Sequence, residues 1–117
     1  MNGQNVMQEE QQSKLLGRLA KELNRPQGKI AKTVELLDAG NTIPFIARYR
    51  KEVTGEMDEV VLRQLADRLQ YLRNLEQRKQ DVIDSIAEQG KLTEELEQNI
   101  RNAEILQEVE DLYLPYK

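Results

Sequence analysis

Asp58–Gln89 reads D-E-V-V-L-R-Q-L-A-D-R-L-Q-Y-L-R-N-L-E-Q-R-K-Q-D-V-I-D-S-I-A-E-Q. The stretch contains no Pro and no Gly, so nothing in it stops a helix before Gly90. A helix over these positions would be roughly 48 Å long. Asp58 suits the cap and Glu59 the positively polarised first turn. Val61, Leu62, Leu65, Leu69, Leu72 and Leu75 recur at helical spacing as one apolar seam. The seam lapses over Glu76–Asp81 and resumes at Val82, Ile83 and Ile86. A coiled coil needs its heptads sustained. The lapse therefore predicts a scaffold helix of about residues 58–89 with two packing stations, the first covered by helices before it and the second by helices after it. Arg63, Arg68, Arg73, Arg78 and Lys79 are expected to be solvated or paired with nearby acids.

Moving towards the N-terminus, Val53–Met57 reads as a loop, and before it comes Asn41–Glu52, N-T-I-P-F-I-A-R-Y-R-K-E. Thr42 can cap a helix, and Pro44 suits its first turn, where no amide donor is missed. Ile43, Phe45 and Ile46 form an apolar wedge, with Phe45 expected in the core. Arg48, Arg50 and Lys51 follow, with Tyr49 among them. A helix over Ile43–Lys51 would bury its first half and present a cationic second half. Farther upstream, Leu15, Leu16, Leu19, Ala20 and Leu23 define a helix that Ser13 could cap. Asn24-Arg25-Pro26 breaks it. Asn tolerates a left-handed backbone, and Pro26 can open a second helix, Gln27–Asp38, with Ile30, Val34 and Leu37 inward. Gly40 supplies the positive φ that stops this one. The pair is similar to a helix-turn-helix that would present Lys29, Lys32 and Thr33 outward. An ordinary antiparallel hairpin accounts for the same pattern. Residues 1–12 are polar and read as a frayed start, becoming helical near Met7.

Towards the C-terminus, Gly90 ends the long helix and Thr93 caps a short one, with Glu94 and Glu95 in its first turn and Leu96 and Ile100 inward. Ile105, Leu106, Val109 and Leu112 define a last amphipathic helix. The sequence then closes on Leu112-Tyr113-Leu114-Pro115-Tyr116-Lys117. Large apolar side chains at a terminus are unusual. Tyr113, Leu114 and Tyr116 are therefore expected to dock the next domain of a larger protein, or to drive self-association of the isolated piece. The expected architecture is all-α: a polar head (1–12), helix-turn-helix-like hairpins (13–52) packed on one long central helix, and short C-terminal helices completing residues 53–117.

Composition narrows the chemistry. The 117 residues include no Cys and no His, which removes disulfides, thiolate metal sites and the commonest general base. There is no phosphate-binding P-loop and no dinucleotide-binding Gly-rich turn. Glu94-Glu95 and Glu110-Asp111 are expected on solvent-facing helix positions. No catalytic residue, metal or cofactor is expected. No apolar run approaches a bilayer span, and no signal peptide opens the chain, so no membrane partner is expected. The net charge of −4 is unevenly spread. Residues 14–79 carry +5, residues 80–117 carry −7 and residues 1–13 carry −2. A polyanion would meet the first two-thirds and be repelled by the tail.

Three strings fall in order: Gly40–Glu52 (G-N-T-I-P-F-I-A-R-Y-R-K-E), Glu88–Thr93 (E-Q-G-K-L-T) and Glu110–Lys117 (E-D-L-Y-L-P-Y-K). Together they resemble the N-terminal region of the Tex transcription accessory proteins, over nearly the whole chain from Leu15 on. The resemblance implies a larger bacterial cytoplasmic protein. It implies that an RNase H-like domain, a helix-hairpin-helix segment and an OB-fold RNA-binding domain follow this region. It also implies nucleic-acid binding linked to transcription, with the main RNA-binding surface in the OB-fold.

Two functions stay open on this sequence. In one, Arg48, Arg50 and Lys51, helped by Lys29 and Lys32, contact RNA or DNA phosphates without reading sequence. In the other, the domain is a scaffold: the cations pair with acids such as Glu52, Asp58 and Glu59, and the C-terminal patch docks downstream domains. Whether the arginines are free or paired decides between them.

Overall fold

The structure is a computed structural model that describes residues 3–117, with side chains from Glu9 on. Seven α-helices and a closing 3₁₀ turn follow one another, with no strand among the described residues. They are α1 Gly3–Leu23, α2 Gln27–Asp38, α3 Ile43–Tyr49, α4 Lys51–Thr54, α5 Glu59–Glu88, α6 Glu94–Arg101, α7 Leu106–Tyr113 and the 3₁₀ turn Leu114–Tyr116. Two compact units form, Met1–Gln70 and Tyr71–Lys117, and the division falls within α5. The expected boundary at residue 52 moves because Leu62, Leu65 and Leu69, on the first turns of α5, are buried in the first unit.

In the first unit the polar head is not a separate segment. α1 already begins at Gly3, since Gln, Glu and Met are good helix formers and no Pro interrupts them. Met1 and Asn2, part of the expected frayed start, lie outside the described residues. Ser13 therefore sits inside α1 rather than capping it, and its carbonyl accepts a 3.4 Å bond from the Gln27 side chain. α1 ends at Asn24, whose φ of 55° lets Arg25 N–H reach back 3.0 Å to Ala20 C=O. Pro26 stands one place before the first turn of α2, at its cap. α2 packs against both α1 and α4. Leu15, Leu19, Ile30, Val34, Ile46, Met57, Leu62, Leu65 and Leu69 make the core.

Two expectations fail here for physical reasons. Thr33 is fully buried rather than outward. Its hydroxyl donates to Lys29 C=O at 2.7 Å, which satisfies the group without water, and its Oγ1 lies 4.0 Å from Met57 Sδ. Nor is Val53–Met57 simply a loop. Lys51–Thr54 is a helical turn closed by Gly55 at φ 73°. Thr54 Oγ1 then accepts Met57 N–H at 3.1 Å, which delivers Met57 to the core at 1% exposure. A three-way ion cluster adds to this unit. Arg68 donates to both oxygens of Glu22 at 2.8 and 3.0 Å, and Arg18 adds a third bond at 2.9 Å. The Arg68 bonds are the chief cause of a Glu22 pKa held below the ordinary carboxylate value.

In the second unit Leu72, Leu75, Val82, Ile83, Ile86, Ile100, Ala103 and Val109 form the core. The lapse in the seam is packed, not empty. Lys79 is buried, and its ammonium donates to Arg101 C=O at 2.8 Å, at the end of α6, and pairs with Glu76 at 3.3 Å. Arg78 pairs with Glu110. Asp58 and Gly90 bound α5 as their chemistry predicts. Asp58 Oδ1 accepts Val61 N–H at 2.9 Å, and Gly90, at φ 73°, lets Lys91 N–H reach Ile86 C=O. Thr93 caps α6 by accepting Leu96 N–H at 3.1 Å. At the start of α7 the Glu108 carboxylate accepts the amides of Glu104 and Ile105, and the Tyr71 hydroxyl accepts that of Leu106. Ile105 and Leu106 are exposed at 47% and 39%, not inward. The extended backbone of Ile105 precedes the helix, so its side chain leaves the helical register that Val109 and Leu112 follow.

Candidate nucleic-acid interface

α3 begins as its sequence predicts: Thr42 Oγ1 accepts Phe45 N–H at 3.2 Å, with Pro44 in the first turn. It ends two residues early, at Tyr49. Arg50 takes φ −130° and ψ 33°, breaking the helix before α4 starts at Lys51. Arg48, Arg50 and Lys51 thus do not share one helical face, and the expected helix over Ile43–Lys51 is two helices with a kink.

The kink shapes the surface. Phe45 and Tyr49 are four apart on α3 and meet on one face, ring centroids 5.2 Å apart and planes tilted by 49°. Phe45 is half-buried rather than core, and Ile46 alone of the wedge is fully buried. Arg50, turned back by the kink, places its guanidinium 5.0 Å from the Phe45 ring centroid and donates to Tyr49 C=O at 3.0 Å. Tyr49 stands 59% exposed. A surface recess of about 420 Å³ is lined by Arg48, Tyr49, Arg50, Lys51, Glu52 and Val53.

Among the described residues no carboxylate lies within ion-pair distance of Arg48, Arg50 or Lys51, and all three are exposed. Two of the three acids offered as internal partners are used elsewhere, and the carboxylate of the third, Glu52, which lines the same recess, pairs with none of these cations. Glu59 pairs with Arg63 at 3.4 Å, and Asp58 caps α5. Glu52 contributes its backbone oxygen, to Lys29. Lys29 and Lys32 diverge. Lys29 donates to Glu52 C=O at 3.0 Å and lays its stem against Gly55, while Arg25 reaches Gly55 C=O at 3.5 Å. Both cations serve the carbonyl end of α4, where positive charge is favoured. Lys32 is exposed and makes no ion pair among the described residues.

The docking residues also separate. Tyr113 is half-buried; its hydroxyl bonds Ser85 at 2.8 Å, and its ring lies beside Arg78 at 5.3 Å and Lys117 at 5.8 Å. Tyr116 is half-buried and its carbonyl accepts from Gln89 at 2.8 Å. Leu114 is 66% exposed. No cluster of acidic side chains among the described residues could hold a metal ion, and no helix there is long and apolar enough to cross a membrane.

Comparison with known proteins bears on which family carries this surface. The model of the Tex-like protein N-terminal domain matches residues 13–87. The chain belongs to the Tex-like family. This Tex-like domain is 57% identical over 99 residues to the transcriptional accessory protein Tex of Neisseria gonorrhoeae, covering 85% of the chain and 13% of that protein. It is 52% identical over 105 residues to protein tex of Bordetella pertussis, covering 90% of the chain and 13% of that protein. It is 36% identical over 87 residues to the human S1 RNA-binding domain-containing protein 1, covering 74% of the chain and 9% of that protein. The chain thus spans 13% of the length of each of these two bacterial relatives. The kinked element, Ile43–Thr54, lies wholly within the matched family domain.

Proposed function

We propose that this Tex-like N-terminal domain contributes a nucleic-acid contact that does not read sequence, within a cytoplasmic, transcription-linked protein. The observation that carries the reading is the set of three exposed cations, Arg48, Arg50 and Lys51, without a carboxylate partner among the described residues. Exposed cations gathered on one surface favour phosphate, and their counterion exchange makes affinity salt-dependent. Lys32 adds charge, and Lys29 helps through the backbone it holds. The names of the relatives, a transcriptional accessory protein and an S1 RNA-binding domain-containing protein, agree with this reading. No catalytic role is assigned.

Titration of the domain with single- and double-stranded RNA and DNA at two salt concentrations tests it. Affinity should fall steeply with salt. The double reversal R48E/R50E should abolish binding without unfolding the domain, the melting temperature falling only by what the Arg50 contacts to Phe45 and Tyr49 C=O contribute. Unaltered affinity in that variant sinks the reading.

A second reading is a scaffold that docks downstream domains and touches no nucleic acid. It is favoured by Leu114, exposed at 66%. Here the titrations are blank, and L114S weakens association with the downstream segments or with a second copy, seen by analytical ultracentrifugation.

A further inference from the structure

The proposed function needs only phosphate contacts, yet the kinked element offers more. An exposed cation cluster alone would grip duplex and single strand alike. Beside this one stands an aromatic ring open to solvent. Tyr49 is 59% exposed, at the wall of a recess far larger than the ~30 Å³ share of one water molecule. Exposed tyrosines are common, but this one packs against a second ring beside a cation. Phe45 supports its ring at 5.2 Å, and Arg50 bonds its carbonyl. Arg50 is itself held on the Phe45 face. The ring and one of the neighbouring guanidinium groups are thus gathered around Phe45, side by side on one surface.

We infer that Tyr49 is a stacking platform for an unpaired base, so that the ligand of this surface is single-stranded nucleic acid. The inference rests on the phosphate reading above and adds the ligand class to it. Bases in a duplex present their faces to one another and cannot reach a ring on the protein surface. In a single strand each base has a free face, and stacking on an aromatic side chain is tolerant of sequence. Arg48, Arg50 and Lys51 line the same recess, where they meet the phosphates on either side of the stacked base. Stacking uses only the π-face of a base, which RNA and DNA share, so both sugars are accommodated.

The test is fluorescence anisotropy at fixed salt with four probes: single-stranded RNA, single-stranded DNA, a duplex of equal length, and a single strand with abasic sites. The variants are Y49A, Y49F and R48A/R50A, each checked by a thermal melt. Y49A should weaken both ordinary single strands about tenfold and leave the duplex and the abasic strand unchanged. Y49F should bind as wild type, since the ring and not the hydroxyl makes the contact. R48A/R50A should weaken every probe. If Y49A lowers duplex and abasic binding equally, or lowers none, the stacking role is overturned while the phosphate reading stands. If the unaltered domain binds no probe at all, both fall together.

Discussion

Arg78 and Glu110 form a two-bond fork: Nε donates to Oε2 at 2.6 Å and Nη2 to Oε1 at 2.9 Å, joining α5 to α7 within the second unit. The hydrogen bonds from Arg78 are the chief cause of a Glu110 pKa below the ordinary carboxylate value, partly opposed by desolvation, and the same bonds raise Arg78. A lowered acid pKa stabilises the fold above the ordinary glutamate value of about 4.3. The contribution is lost as the pH falls through the lowered value. With side chains 36% and 29% exposed, solvent screens the pair to about 1 kcal/mol. Thermal melts from neutral to acid pH should show the wild-type advantage over E110Q shrinking below about pH 4.3. An advantage that persists in acid would mean that the carboxylate charge does not carry it.

Lys79 gives a sharper case, because it is 4% exposed. Its ammonium satisfies the Arg101 carbonyl at the C-terminal end of α6, where a cation is favoured. K79A removes the buried stem and leaves that carbonyl without its donor, at an expected loss of about 2 kcal/mol. K79M keeps the stem and should recover part of it. Urea unfolding of the three proteins measures both quantities. Equal stability of K79A and wild type would show that the ammonium is solvated.

How far the sequence revealed these features depended on whether a residue's partner was local. Thr42, Asp58, Gly90 and Thr93 work through backbone groups a few residues away, and each bounds a helix where its chemistry predicts. Lys79 bonds a carbonyl 22 residues distant, so its helical register reads as a gap in the seam when it is a buried position. α4 is a single turn with no periodicity of its own, fixed by Arg25 and Lys29 from α2 and the residues before it. The short apolar wedge suggested a core Phe45. Its neighbours Tyr49, one helical turn on, and Arg50, at the break, instead make it the floor of a surface cluster.

Asn24 tests the first helix end. It holds φ 55°, a backbone that costs a residue with a β-carbon about 1 kcal/mol and costs Gly nothing. Asn lowers that cost by local hydrogen bonding. N24G should therefore melt at or slightly above the wild-type temperature, and N24A about 5 °C below it. Equal melting of the two variants would place the strain elsewhere.

Thr54 is buried at 1% exposure and its hydroxyl has two tasks, accepting Met57 N–H at 3.1 Å and donating to Lys51 C=O at 3.4 Å. T54V keeps the shape and leaves a buried amide unpaired, at about 1–3 kcal/mol. T54S keeps both bonds and loses only a methyl group. Denaturant melts should rank wild type, T54S and T54V in that order. Near-equality of T54V and wild type would show that water reaches the Met57 amide.

The five cations of the kinked element and α2 should divide by what they touch. Arg48, Arg50, Lys51 and Lys32 make no ion pair among the described residues, so their removal withdraws no ion pair from the folded state. Lys29 is different: its ammonium is bonded to Glu52 C=O and its stem packs on Gly55, so it holds the carbonyl end of α4 to α2. K29A should lower the melting temperature by about 5 °C, equivalent to about 1 kcal/mol. Its effect on nucleic-acid affinity should be indirect, through the placement of α4, and should leave the salt dependence intact. R48A/K51A, which removes the two cations of the kinked element that make no side-chain bond among the described residues, should do the reverse: no change in melting temperature, and a slope of log affinity against log salt reduced by about 2, one for each phosphate no longer neutralised. Melting curves and salt titrations on the two variants measure both. A fall in stability in R48A/K51A as large as in K29A would show that these cations are spent inside the fold and free none of their charge for a partner.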